Sequence, residues 1–283
     1  MQANLFQTSS AEVISIYEND RNIKVVDCPE IDSNICAIYF SSNNLYFPNT
    51  AAVFNTRIVS KDHYEWFGTR IENAARHIFV RDVKKQWYLE GVSSRLPDFH
   101  AVLMELRALC EGFDVITLGS SAGGYAAVLY GVSLRADKIF SFNGQMRLDT
   151  LVSNRSSPEV DPLVFHYHDS DAHKVYYSLS KLIDNFEGDI FYFCSKYSDW
   201  DAEQRHHVQD KNIFILDFRT KKHGIPFLKT ALPRVIQLDR AALQPLADRS
   251  WNPVAFAIKV SGILPTVVQL ILVAAGMLLG KVK

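Results

Sequence analysis

The sequence predicts an α/β layered fold: a mostly parallel central sheet flanked by helices, with an apolar C-terminal helix. Three observations predict it. Short runs rich in Ile, Val, Phe and Tyr recur along the chain without polar alternation, as strands buried on both faces do. Longer segments between them carry apolar residues at helical spacing or are small and apolar all round. A Gly- and Ser-rich turn joins one such run directly to one such helix, and strand–helix alternation of this kind builds a parallel sheet.

Taken in order, Ile23–Val26 and Ile35–Phe40 read as strands, and the polar stretch Ser41–Asn44 reads as the turn after the second. His77–Val80, Val115–Leu118, Lys138–Phe142, Asp189–Phe193 and Asn212–Phe218 read as further strands. Phe99–Leu109 and Ala122–Tyr130 read as helices, the second buried on all sides; Tyr176–Phe186 and Ala202–Val208 are further helical candidates. No internal repeat or low-complexity linker interrupts the pattern. The expected organisation is one body over residues 1–250 and an apolar tail over 251–283.

Composition narrows the function. With 283 residues, the chain is long enough for a sizeable core. The formal net charge of −1 argues against a general nucleic-acid binder, which carries a basic excess. The cysteines Cys28, Cys36, Cys110 and Cys194 are far apart and lack the C-x-x-C spacing of a zinc ribbon, so a reducing, cytoplasmic setting is expected. The N-terminus shows no basic region followed by an apolar run, so no signal peptide is expected.

The tail stands apart. Val260–Gly280 has no charged residue over a length close to the roughly 20 positions a bilayer core requires. Lys259 precedes it, and Lys281 and Lys283 follow. Attachment to the cytoplasmic membrane is expected, through a helical arm that spans or lies in one leaflet, with Pro265 near its start as a kink or as part of its first turn. The alternative is a greasy helix packed on the body or on a second subunit. Gly276 and Gly280 form a weak G-x-x-x-G pairing signal.

Chemistry concentrates in Asp114–Tyr125, DVITLGSSAGGY, where Gly119, Ser121 and Gly123 form G-x-S-x-G. The motif directly follows a strand and directly opens a small-residue helix, the context of a nucleophile elbow. A side chain two residues before or after the nucleophile would block so sharp a turn. The helix start then turns its free N–H groups toward a developing oxyanion. GSSAGG fits neither a dinucleotide fingerprint nor a lysine-containing phosphate loop. Ser121 holds the central position; Ser120 is its neighbour.

These residues resemble the α/β-hydrolase family over roughly residues 20–235. The resemblance implies a Ser, acid, His order along the chain. It assigns Ser121 as nucleophile, His223 as general base, and Asp201 or Asp199 as the acid after the DIFYFCS strand; Asp201 could also be the cap of the next helix. It implies oxyanion donors from the backbone of Ala122 and of Ser42 or Asn43, although the usual His-Gly-type sequence is missing there. No organic cofactor is expected. His166, His168, Asp169, Asp171 and His173 depart from the H-x-H-x-D-H metal pattern and have no second ligand cluster, so no metal is expected either. That segment falls where such folds insert a cap over the substrate mouth. His206 and His207 read as lying on a solvated helix, and Arg81-Asp82 with Gln86-Trp87-Tyr88 as either a sugar-binding face or core packing.

The phrases YFSSNNLYFPNT, FVRDVKKQWYLEGV and LGSSAGGYAAVLYG are similar to a bacterial subgroup of the family associated with surface-polysaccharide genes. That similarity implies an acyl-ester substrate on a glycan or lipid-linked glycan. The activity implied by the α/β-hydrolase resemblance is serine hydrolysis of an ester or other acyl bond through an acyl-enzyme. Acyl transfer to a sugar hydroxyl, or a catalytically silent membrane-tethered binding partner in polysaccharide assembly, are the alternatives.

Overall fold

The computed structural model describes residues 10–150 and 171–278. Eight strands form one sheet: β1 Ile23–Asp27, β2 Ile35–Phe40, β3 Arg76–Val80, β4 Asp114–Ser120, β5 Lys138–Phe142, β6 Asp189–Ser195, β7 Phe214–Phe218 and β8 Ser250–Trp251. The spatial order is β1-β3-β2-β4-β5-β6-β7-β8. Every neighbouring pair is parallel except β1 with β3.

Among the described residues, six helices have eight residues or more. They are α1 Ala11–Glu18, α2 Phe99–Leu109, α3 Ala122–Leu134, α4 Asp199–His207, α5 Pro253–Ser261 and α6 Ile263–Leu278. Ser198 and Asp98 cap α4 and α2 by accepting from the backbone N–H of Asp201 and Ala101. The candidate helix Tyr176–Phe186 is reduced to a single turn over Ser180–Ile183.

Strand side chains alternate between two apolar layers. Cys36, Ile38, Phe40, Ile139, Tyr192 and Cys194 pack with α2 and α3 on one face. Tyr39, Leu118, Phe140, Phe142, Phe191, Phe193 and Phe218 pack on the other, joined by Phe227 and by Phe256 of α5. That second face is a bank of aromatic rings, with Phe142 and Phe193 stacked at 4.7 Å. Burial on both faces is why the central strands show no polar alternation. The strand β1 departs from the expected parallel pattern: it is an antiparallel edge, and Val25 faces solvent.

The body continues past residue 250. Trp251 pairs with Phe218 in the sheet, and Phe256 and Ala257 are fully buried. The helical run breaks at Gly262, with φ of 90°, and Pro265 sits in the first turn of α6, the second of the two roles expected for it. Beyond the break, Ile263, Leu264, Val267, Val268, Ile271 and Leu272 are exposed. Among the described residues no helix is long and apolar enough to cross a membrane.

Candidate active site

Parallel sheets bind ligands at the carboxyl ends of their strands, and the polar constellation of this chain lies there. The turn from β4 into α3 is the sharpest feature. Ser121 has φ 53° and ψ −123°, a strained conformation for a residue with a side chain. A Cβ at Gly119 would meet the Gly123 carbonyl oxygen at 2.1 Å, and one at Gly123 would meet the Phe40 carbonyl oxygen at 2.2 Å. Both positions therefore exclude any side chain, which is the steric origin of the G-x-S-x-G spacing. The Ser121 N–H donates to the Phe142 carbonyl and the Ser121 carbonyl accepts from Tyr125, so sheet and helix hold the turn from both sides.

His223 comes from the loop after β7 and Asp201 from the first turn of α4. His223 Nε2 lies 2.8 Å from Ser121 Oγ, and its Nδ1 lies 2.8 Å from Asp201 Oδ1. The three residues form one chain of hydrogen bonds, with His223 43% exposed and Asp201 fully buried. Asp201 is the third residue of its helix, and Ser198, not Asp201, caps it. Asp199 is exposed and does not join the chain of bonds. Asp201 Oδ2 is buried with no hydrogen-bond partner among the described residues.

The His223 loop is pinned by residues that the sequence did not single out. Asn143, fully buried and left-handed at φ 45°, donates its amide to the carbonyls of Lys222 and Gly224, on either side of His223. Ser195 donates to the Lys222 carbonyl at 2.5 Å, and its own N–H donates to Asn143 Oδ1. The dipeptide Asn143-Gly144 after a strand is a turn signal, but nothing in it announces this role.

Around Ser121 and His223 lies a cleft of about 740 Å³, lined also by Ser42, Asn43, Glu65, Trp66, Lys222 and Lys229. The Ser42 N–H, expected as a free oxyanion donor, instead donates to Glu65 Oε2 at 2.6 Å, and the Ser42 hydroxyl donates to Glu65 Oε1. The N–H groups of Asn43 and Ala122 donate to no group among the described residues. Burial raises the Glu65 carboxyl above the usual carboxylate range; the hydrogen bonds from Ser42 and the charges of Lys229 and Lys85 pull it the other way. Burial, with the nearby Lys229 charge, lowers Lys222. A larger cavity of about 1130 Å³ lies at the opposite ends of β5 and β6, beside Asp137 and Gly188, away from these groups.

The other predicted residues separate. His166, His168 and Asp169 lie outside the described residues, as do residues 279–283 with Gly280, Lys281 and Lys283. No group of three or more His, Cys, Asp or Glu able to hold a metal occurs among the described residues. His206 is exposed, whereas His207 is part-buried and bonded to Ser178. Arg81, Asp82, Gln86, Trp87 and Tyr88 are all buried, so this stretch is core and not an open sugar face.

The sheet order, the antiparallel strand beside β3 and the sharp turn between β4 and α3 give the chain an α/β-hydrolase-type fold. No protein-family model matches the chain, and no curated protein matches it. Among solved structures it is similar to the capsule O-acetyltransferase of Neisseria meningitidis serogroup A, at 14% identity and a TM-score of 0.48 over 69% of this chain and 81% of that one. S-formylglutathione hydrolase from Staphylococcus aureus is similar at 12% identity and a TM-score of 0.45, over 69% and 83%. Acetyl xylan esterase 1 from Thermoanaerobacterium sp. is similar at 10% identity and a TM-score of 0.42, over 69% and 70%.

Proposed function

We propose that the protein is a serine acyl-ester hydrolase in which Ser121 attacks the carbonyl, His223 carries the proton and Asp201 orients His223. The observation that carries this reading is the unbroken relay from Asp201 through His223 to Ser121, with 2.8 Å at each link. Within such a relay His223 Nε2 accepts the serine proton as Oγ bonds to the acyl carbon. The buried carboxylate of Asp201 keeps the Nδ1 proton in place and favours the imidazolium that forms. The free N–H groups of Ala122 and Asn43 are the proposed donors to the oxyanion; Ser42 would act by shaping the loop, because Glu65 occupies its N–H. The tetrahedral intermediate collapses by breaking the bond to the alcohol oxygen, which takes the proton from His223 and leaves; neutral His223 then deprotonates water, which attacks the acyl-enzyme, and the proton returns to Ser121 Oγ as the carboxylic acid departs.

The sequence resemblance extends the reading to an acyl ester on a glycan or lipid-linked glycan. The exposed apolar side chains of α6 support an accompanying attachment to a membrane surface. Truncation after Gly262, which spares the buried α5, should release the protein from membranes with ester turnover retained. Retention of the truncated protein on membranes, or absence of the full chain from them, would overturn attachment through α6.

Product analysis with an O-acetylated oligosaccharide tests the activity. Free acetate at a rate independent of added sugar acceptor is expected. Transfer of the acetyl group to the acceptor in place of water would replace hydrolysis by acyl transfer through the same acyl-enzyme. No turnover of any acyl ester would overturn both.

A further inference from the structure

The hydroxyl of Ser121 has a second partner besides His223. The Gln145 side-chain amide, almost fully buried in the segment after β5, donates from Nε2 to Ser121 Oγ at 3.4 Å. An amide in isolation is free to present either its oxygen or its nitrogen to a neighbour. Here the choice is settled by the indole of Trp87, which donates from Nε1 to Gln145 Oε1 at 3.0 Å. An indole N–H can only donate, so Gln145 must turn its oxygen to Trp87 and its N–H₂ toward Ser121. Trp87 is itself held firmly. It lies in a turn in which Lys85, Trp87 and Tyr88 all have positive φ, and Asp82 Oδ2 accepts from the backbone N–H groups of Gln86 and Tyr88. Three left-handed side-chain-bearing residues in four positions are costly, and they persist only where the surroundings impose them.

We propose that Gln145 is a further catalytic residue, donating a hydrogen bond to the charge that develops on Ser121 Oγ during attack, and that Trp87 is the positioning residue that aims it. The proposal rests on the reading of Ser121 as nucleophile. As the Oγ–H bond breaks and the proton passes to His223 Nε2, an Oγ electron pair forms the bond to the acyl carbon and the carbonyl π pair moves onto the carbonyl oxygen. Gln145 keeps its own protons throughout. Its contact, long in the resting enzyme, strengthens only while Oγ bears excess charge. A contact that gains strength on the way to the transition state raises kcat and leaves KM nearly unchanged.

The test is steady-state turnover of p-nitrophenyl acetate by Gln145→Met, Trp87→Phe and the double variant, with thermal melting of each. Methionine keeps the length and loses the donor; phenylalanine keeps a ring and loses the indole N–H. Gln145→Met should lower kcat about 10- to 100-fold, at or below the usual effect of losing one oxyanion donor, with KM within about twofold. Trp87→Phe should lower kcat by a smaller factor, about threefold or more, and the double variant should be no slower than Gln145→Met alone, since both act through one bond. A Gln145→Met enzyme that melts normally and keeps kcat within about twofold overturns the proposal, as do independent, multiplying losses in the double variant. If Gln145→Met does not fold, Trp87→Phe decides: a selective fall in kcat supports the proposal, and an unchanged kcat overturns it. Labelling of wild-type Ser121 by a fluorophosphonate separates the two readings, because wild-type labelling with an indifferent Gln145 removes this inference alone.

Discussion

Two strained turns flank the candidate site, and they are held in opposite ways. At Ser121 the strain is made tolerable by what is missing: Gly119 and Gly123 leave room for backbone to pass backbone at distances no Cβ allows. At Lys85–Tyr88 there is no glycine, and the strain is held by what is present, the buried Asp82 carboxylate bridging two backbone N–H groups. A turn built on missing side chains leaves a fixed spacing in the sequence. A turn built on a carboxylate leaves one aspartate among many. The comparison explains why Ser121 can be found by reading and the Trp87–Gln145 pair cannot.

The largest expected effect breaks the first turn chemically. Ser121→Ala should lower turnover of an activated ester by about 10⁴-fold or more, since members of such a relay act as a unit. Ser120→Ala, one residue away in the same turn, should stay within about tenfold. Equal losses in the two variants would dissolve the distinction between the central position and its neighbour.

A comparable contrast applies to the two aspartates. Asp201→Asn should cost about 10⁴-fold in kcat by releasing the His223 tautomer, whereas Asp199→Asn, exposed and outside the relay, should cost less than about twofold. Kinetics of both variants at one pH suffice, and the reverse ranking would transfer the orienting role to Asp199.

These residues also mark how far the sequence could be read. The strands β2 to β7 are visible because burial on both faces of the sheet suppresses polar alternation, and the helix α2 because its apolar residues recur at helical spacing. The helix α3 is read without ambiguity because residues 122–131 are buried on every side. His223 is visible through its place after the last long strand. The choice between Asp201 and Asp199 is not visible, since both stand at a helix start and only the capping by Ser198 turns one inward. The two-residue strand β8 is too short for any pattern, and β1 resembles its neighbours in composition although it is antiparallel. Asn143, Glu65 and Gln145 make their contacts with residues distant along the chain, Asn143 with Ser195 and Lys222, Glu65 with Ser42, and Gln145 with Trp87 and Ser121, and carry no local signature.

Moderate effects follow from adding a side chain to the first turn. Gly123→Ala should destabilise the fold by several kcal/mol, of the order seen for overpacked cores or more, because the colliding atom is the Phe40 backbone and cannot rotate away. Urea denaturation would measure it, and a stability equal to wild type would mean that the turn is looser than its geometry implies.

The smallest effect concerns the second turn and pH. Burial raises the Asp82 carboxyl to about 6, from 3.8 for an ordinary aspartate. In that interval the native state holds more protons than the unfolded chain, so this group's contribution is present below the lower value and is lost as pH rises through the upper one. Asp82→Asn cannot ionise, so its stability relative to wild type should decline as pH is lowered from about 7 to 4. His77, buried and lowered to about 4, acts in the opposite sense and is common to both proteins, so it cancels in the comparison. A pH-independent difference between the two proteins would show that Asp82 does not titrate in this window.

The central claim is that the turn closing β4 presents Ser121 as an activated nucleophile. Mass-spectrometric mapping after reaction with a fluorophosphonate tests it most directly. The account predicts one covalent adduct, on Ser121, formed at a rate that falls sharply in His223→Ala; no adduct, or an adduct on Ser120 or another residue that forms equally fast without His223, would contradict it.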